Sequence, residues 1–246
     1  RDFDEGTVAR VAQELSKGMG EAPLLPTLWG EPYLNKGPGL HSLIGLVIRQ
    51  ASGTQQLPSE GLVRLVPALL STLVVPLGGL LQWRLRPGER SSCLATSLLL
   101  LTLLPVARHG RLAMLDGSQL SAMALLWLAL ASLRGQRNDS YWALTAGLMG
   151  SAMLLLKAPL LIPCAAAALA AVLWGLEWQR WRSGPAISCM ALGLLPGISW
   201  HLWHAHIRGG QALWMWGGDG AGRVLLDAGE GSDLRRLVPL IELLEG

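Results

Sequence analysis

The sequence predicts an all-α membrane protein, a multi-spanning helical bundle with amphipathic juxtamembrane helices on its exported face. Three observations lead there. Only 15% of the 246 residues are charged while 51% are hydrophobic, against roughly 25% charge in soluble domains. Long apolar runs recur from Leu62 onward, several near the ~17-residue lower limit for a membrane span. Basic residues collect in the short links between those runs. The net charge of +3 therefore reads as the positive-inside bias of a membrane protein and not as a nucleic-acid footprint.

Along the chain, Val8, Val11, Ala12, Leu15 and Met19 recur at helical spacing, with Arg10, Gln13, Glu14 and Lys17 largely opposite. This predicts an amphipathic helix over Gly6–Met19, too polar to span. Pro23, Pro26, Gly30, Pro32, Gly37, Pro38 and Gly39 predict a loop. Leu40, Leu43, Ile44, Val47 and Ile48 predict a second short helix ending near Gly53, and the pair would lie on the membrane surface. Residues 1–60 form one exported unit. Residues 61–203 carry about six spanning candidates, at Leu62–Trp83, Ser91–Ala107, Gly117–Leu133, Tyr141–Leu156, Ala158–Leu176 and Ala186–Trp203. Residues 204–246 form a further exported loop and the start of another helix. The links holding Arg84, Arg86 and Arg90, then Arg134 and Arg137, then Arg180 and Arg182, fall on one side, which the bias makes cytoplasmic. The segment up to Glu60, the Arg108–Asp116 link, Lys157 and the tail after His204 then share the opposite side. The chain begins at Arg1 and stops just after a new apolar run begins, so a fragment of a longer protein is expected. Cys93, Cys164 and Cys189 lie in apolar runs without C-x-x-C spacing and read as small core residues.

The polar residues converging on that side are the candidates for chemistry. Asp4 suits a helix N-cap, with Glu5 in the first turn, or a general base beside the bilayer. Lys36, in the constrained turn Asn35-Lys36-Gly37-Pro38, suits a snorkelling anchor or a partner for phosphate. Arg64 opens the first span. Arg108 and Arg111 run against the positive-inside bias and call for an anion, either phosphate or a carboxylate. Asp116 precedes an apolar span, where an unpaired carboxylate is costly. Lys157 marks a turn between two spans or a binding cation. His201, His204 and His206 form H-x-x-H-x-H beside Trp200 and Trp203, with no adjacent carboxylate, which favours helix anchoring over metal ligation. The glycine-rich stretch Trp216–Arg223 follows no strand and fits no phosphate-binding loop.

Asp4-Glu5, Gly30-Glu31-Pro32-Tyr33-Leu34-Asn35-Lys36-Gly37-Pro38, Arg64-Leu65-Val66-Pro67-Ala68-Leu69, Leu115-Asp116 and Leu156-Lys157-Ala158-Pro159 stand in an order that resembles the protein O-mannosyltransferase-like membrane glycosyltransferases. Within that GT-C superfamily the aminoarabinose-transferase-like branch is the more similar. The resemblance implies a GT-C helical fold and an integral membrane enzyme, with its active site on the periplasmic or exported face of a bacterial inner membrane. Such an enzyme moves a sugar from a polyprenyl-phosphate-linked donor to a lipid, glycan or protein acceptor. It further implies Asp4, Glu5 and Asp116 as catalytic residues, and Lys36, Arg64, Arg108, Arg111 and Lys157 as contacts to substrate phosphate. Three departures stand out: Asn35 where the family often has an acidic residue, Gly37 where it has proline, and Val66 before Pro67-Ala68-Leu69 without the family's serine. The loss of the acid weakens the case for a divalent metal without closing it, and the sequence points to no other cofactor. A transporter or lipid flippase, which would place its polar residues nearer the midplane, and a non-catalytic membrane scaffold are the competing readings.

Overall fold

The computed structural model describes residues 3–20, 22–52, 58–104, 106, 110, 112–133, 139–174 and 184–217. Helix α1 (Phe3–Lys17) and helix α2 (Gly39–Ser52) flank a two-stranded hairpin, β1 (Thr27–Leu28) and β2 (Glu31–Pro32). The sequence led us to expect only a loop between the helices. The strands are antiparallel, with Thr27 opposite Pro32 and Leu28 opposite Glu31. Both residues of the connecting turn have positive φ, 59° at Trp29 and 83° at Gly30, as a tight two-residue hairpin demands. A glycine accommodates this at no steric cost, but Trp29 does not, and something outside the turn must hold it there.

The bundle begins with α3 (Glu60–Thr72) and α4 (Val74–Leu85), which continue each other, followed by α5 (Arg90–Thr102). Ser59 caps α3, accepting a hydrogen bond from Leu62 N. Then come α6 (Leu115–Ser132), α7 (Asp139–Lys157), a 3-10 turn at Ala158–Leu160, α8 (Leu161–Trp174) and α9 (Gly184–Arg208). A second 3-10 turn leads to the short α10 (Trp214–Gly217). Among the described residues, three helical runs are long and apolar enough to cross a membrane: Glu60–Leu85, Asp139–Ala171 and Gly184–Ala212. The second run is two arms, because Lys157 leaves helical geometry (φ −145°, ψ 84°) and the chain folds back. Trp127 Nε1 of α6 donates to Cys164 O of α8, and Gln119 Nε2 donates to Lys157 O. Helix α8 therefore descends alongside α6. Helix α5 has 13 residues, about 20 Å at 1.5 Å per residue, and α6 opens on the polar set Asp116, Ser118, Gln119 and Ser121.

These pairings define two ends. At one end Arg84 of α4 donates to Ala131 O and Ser132 O of α6. Helices α7 and α9 run parallel, crossing where Gly147 meets Gly193, small residues that let two helix backbones approach. Their other ends reach the side on which α1, α2 and the hairpin sit. Val8, Val11 and Ala12 of α1 and Leu40, Ile44 and Ile48 of α2 are almost wholly buried. Most of them join one cluster with α6 and α7 residues such as Ala122, Ala129, Ala146 and Met153. Each buried Leu or Ile contributes on the order of 2 kcal/mol, so the predicted amphipathic helices are docked on the bundle by their apolar faces.

Candidate active site

Among the described side chains of the first helix, the carboxylates of Glu5 and Glu14 are both tied down. Glu5, buried, accepts from Arg64 Nε at 2.9 Å and Arg64 Nη2 at 2.7 Å, and from Ala113 N at 2.8 Å. Arg64 Nη1 also faces Glu60 at 2.7 Å. The Arg64 hydrogen bonds hold the Glu5 carboxyl below its ordinary value against the opposing effect of burial, helped by the Ala113 N–H and the Arg64 charge. Glu5 and Arg64 thus form a pin joining α1, α3 and the segment that leads into α6. Asp4 occupies the first turn of α1 beside them; its side chain lies outside the described residues. Arg108 and Arg111 lie outside them too.

Glu14 was not singled out by sequence reasoning, yet it organises the hairpin. It is buried and accepts from Arg10 Nε (2.6 Å), Thr27 Oγ1 (2.7 Å), Trp29 N (2.9 Å) and Gly30 N (3.2 Å). Successive turn N–H groups make a concave anion seat, and the carboxylate fills it. Burial pushes its pKa up, but the hydrogen bonds from Thr27, Gly30, Arg10 and Trp29 outweigh it and the net direction is down. Arg10 also lies over the Trp29 ring, 4.4 Å from its centroid. This is what holds Trp29 in the left-handed region. The only sequence signal was an acidic residue at the edge of the apolar face of α1.

From the hairpin the chain enters Asn35-Lys36-Gly37-Pro38. A Cβ on Gly37 would run into the carbonyl of Leu155, so the turn lies directly against the last turn of α7. That contact gives a physical reason for glycine where the related motif has proline. His41 Nδ1–H donates to Gly37 O at 3.0 Å, closing the turn from α2. His41 is fully buried and its pKa is pushed down to about 4 by burial, with the Lys36 charge adding in the same direction, so the ring is neutral. Lys36 is half-buried. Among the described residues its ammonium has no hydrogen-bond or ion-pair partner. Two residues beyond Leu155, Lys157 Nζ lies 3.8 Å from Asp116 Oδ1, both partly exposed.

The structure brings Glu5, Arg64, Lys36, Asp116 and Lys157 to one end of the bundle. Of these, Arg64 faces two carboxylates, whereas Lys36 faces none among the described residues and Lys157 faces only a long contact. The histidine motif is used for packing. His201 Nε2–H donates to Leu154 O at 3.2 Å, and His204 stacks on Trp200 with ring centroids 4.8 Å apart. Among the described residues no group of three metal-ligating side chains comes together.

A helical membrane bundle with a cation-rich end is common to several kinds of protein. The deciding observation is a match to the family model for dolichyl-phosphate-mannose-protein mannosyltransferase over residues 34–209. The chain belongs to that family. It is therefore an integral membrane glycosyltransferase by family, and the transporter and scaffold readings give way. The matched region includes Lys36, Arg64, Asp116 and Lys157, whereas Asp4 and Glu5 precede it. No curated protein matches the chain, and no solved structure matches it.

Proposed function

We propose that this chain carries the catalytic face of an enzyme that transfers a sugar from a polyprenyl-phosphate-linked donor, of the dolichyl-phosphate type named by the family, to a lipid, glycan or protein acceptor at the exported side of the membrane. The observation that carries this reading is Lys36, a half-buried ammonium without a carboxylate partner among the described residues. It sits in a turn seated against Leu155, with Lys157 two residues beyond Leu155 in the chain. A half-buried cation with no partner among the described residues suits an anion supplied from outside, and a lipid-linked phosphate is such an anion.

In the proposed reaction Asp4 accepts the proton from the acceptor hydroxyl as its oxygen attacks the anomeric carbon. The bond from that carbon to the phosphate oxygen breaks, and the electron pair leaves on the polyprenyl phosphate. Lys36 and Lys157, with Arg108 and Arg111, stabilise the charge that grows there. A single displacement inverts the anomeric centre. Asp116 orients Lys157, while Glu5 fixes the first turn of α1 and with it Asp4. Arg64 is then a structural partner of Glu5 and not a phosphate contact. No step requires a metal or cofactor.

The test is turnover of a polyprenyl-phosphate sugar by purified full-length enzyme. Asp4→Asn should lower the transfer rate by about 10² or more, the scale for losing a general base, in a protein that stays folded, since Asp4 lies within the first turn of α1, where the loss of a charge costs only about 0.3–1 kcal/mol of helix-dipole interaction. Lys36→Ala should weaken use of the lipid-phosphate donor. Near-normal turnover in Asp4→Asn would remove Asp4 from catalysis, and unchanged kinetics in Lys36→Ala would pass the phosphate role to the arginines.

A further inference from the structure

Helix α9 ends far along the chain from the motif loop, yet its last turns are built into that loop. Arg208 is buried, and its fork spans both ends of the hairpin: Nη2 donates to Pro26 O at 3.0 Å and Nη1 to Tyr33 O at 3.3 Å. Pro26 O also accepts from Tyr33 N at 2.9 Å, so one carbonyl joins the hairpin to the guanidinium. One turn back, His204 Nε2 lies 3.5 Å from Arg208 Nη1, and its ring stacks on Trp200. Trp200 Nε1 donates to Leu24 O at 3.1 Å. Beyond α9, Trp214 Nε1 donates to Asn35 Oδ1 at 3.2 Å. The same turns hold α7, because His201 bonds Leu154 O, in the turn that carries Lys157.

We infer that Arg208 is a positioning residue, which fixes the Lys36 turn relative to Lys157 by clamping the backbone at Pro26 and Tyr33. It is buried and does not face outward as a phosphate contact would; two of its donors are directed at main-chain carbonyls on the segment leading to Lys36. A guanidinium holds its donors in a rigid planar fork set for two carbonyls at once, whereas an ammonium on a flexible stem offers no such fixed geometry. Tyr33 lies three residues before Lys36, and the turn between has its far side against Leu155. Releasing the clamp frees one side of that turn while α2 and α7 still hold the other. Lys36 then samples positions away from Lys157, and misplacement of about 1 Å is enough to cost up to ~10²-fold in rate. The inference rests on the proposed role of Lys36, so its test needs a readout independent of sugar transfer.

That readout is the reactivity of the Lys36 amine toward an acetylating reagent, followed by mass spectrometry on the full-length protein in detergent, with Lys157 as the internal comparison. Arg208→Ala should raise Lys36 labelling several-fold with Lys157 little changed, and should lower kcat by about 10-fold or more while donor KM moves less. Arg208→Lys, which keeps the charge but not the fork, should fall between. Trp200→Phe should shift Lys36 labelling in the same direction, and it decides the matter if Arg208→Ala does not fold. Unchanged Lys36 labelling in folded Arg208→Ala or in Trp200→Phe overturns the positioning role, whatever the activity does. A wild-type enzyme that transfers no sugar, but whose Lys36 labelling responds as described, leaves the clamp standing and sinks the proposed reaction instead.

Discussion

Replacing Glu14 with alanine should open the hairpin while leaving the bundle intact. Four donors converge on that carboxylate, and they do not count equally. Thr27, only 2% exposed, would keep a buried hydroxyl without its acceptor, a loss of about 1–3 kcal/mol. The Trp29 and Gly30 amides sit at a more open turn, where water replaces part of what is lost, and Arg10 regains solvent because its side chain is 30% exposed. The local cost is then about 3 kcal/mol, well under the sum of four charge-assisted bonds. Trp29 adds to it, since its positive φ is held by its N–H on Glu14 and by Arg10 over its ring, and Arg10 is itself bonded to Glu14. At 1.4 kcal/mol per tenfold, local opening rises roughly a hundredfold. Hydrogen exchange at the Trp29 and Gly30 amides, measured by mass spectrometry in detergent micelles, should accelerate by that order in Glu14→Ala. Exchange within α7 should be unchanged. Acceleration of no more than about threefold would refute the argument that Glu14 is what holds the turn.

Two further outcomes follow from the packing and the charges. Gly37→Ala drives a methyl into the Leu155 carbonyl, an overpacking cost of about 2 kcal/mol, and should lower Tm by roughly 4–8 °C. An unchanged Tm would mean that the turn does not rest on α7. Glu5 and Glu14 both titrate below their ordinary value of 4.5 when folded. Their contribution is thus complete above pH 4.5 and lost as pH falls through the folded values. Thermal stability should hold from neutral pH down to 4.5 and then decline. Glu14→Ala should decline less steeply, and identical acid limbs would exclude Glu14 from the effect.

Much of the architecture was legible because the membrane imposes simple rules on sequence. An apolar run must satisfy its backbone internally, so it becomes a helix. The 3.6-residue spacing of Val8, Val11 and Ala12, and of Leu40, Ile44 and Ile48, marked two amphipathic helices, expected on the membrane surface; that their apolar faces dock on the bundle was decided by packing. The turn at Lys157 was legible from a lysine and a proline interrupting an apolar stretch, and the gathering of Lys36, Asp116 and Lys157 from the order of the links. The resemblance carried by short motifs supplied the family, since each motif is local and needs no knowledge of its neighbours.

Partner choice was decided only by tertiary structure. Arg64 and Lys36 are both cations near the same membrane face; the i,i+4 spacing of Glu60 and Arg64 is local, but nothing local says that Arg64 would also meet Glu5 while Lys36 meets no carboxylate among the described residues. Glu14 is unremarkable on a helical wheel, where only Arg10 stands near it, because its other three donors come from a hairpin thirteen to sixteen residues away. Arg208 follows a histidine motif that invited a metal reading, and its partners lie about 175 to 182 residues back in the chain. Hydropathy and helical periodicity report the environment of a segment, which sequence encodes directly. Which buried donor meets which acceptor depends on how helices distant in sequence cross, and that is settled by packing the whole bundle.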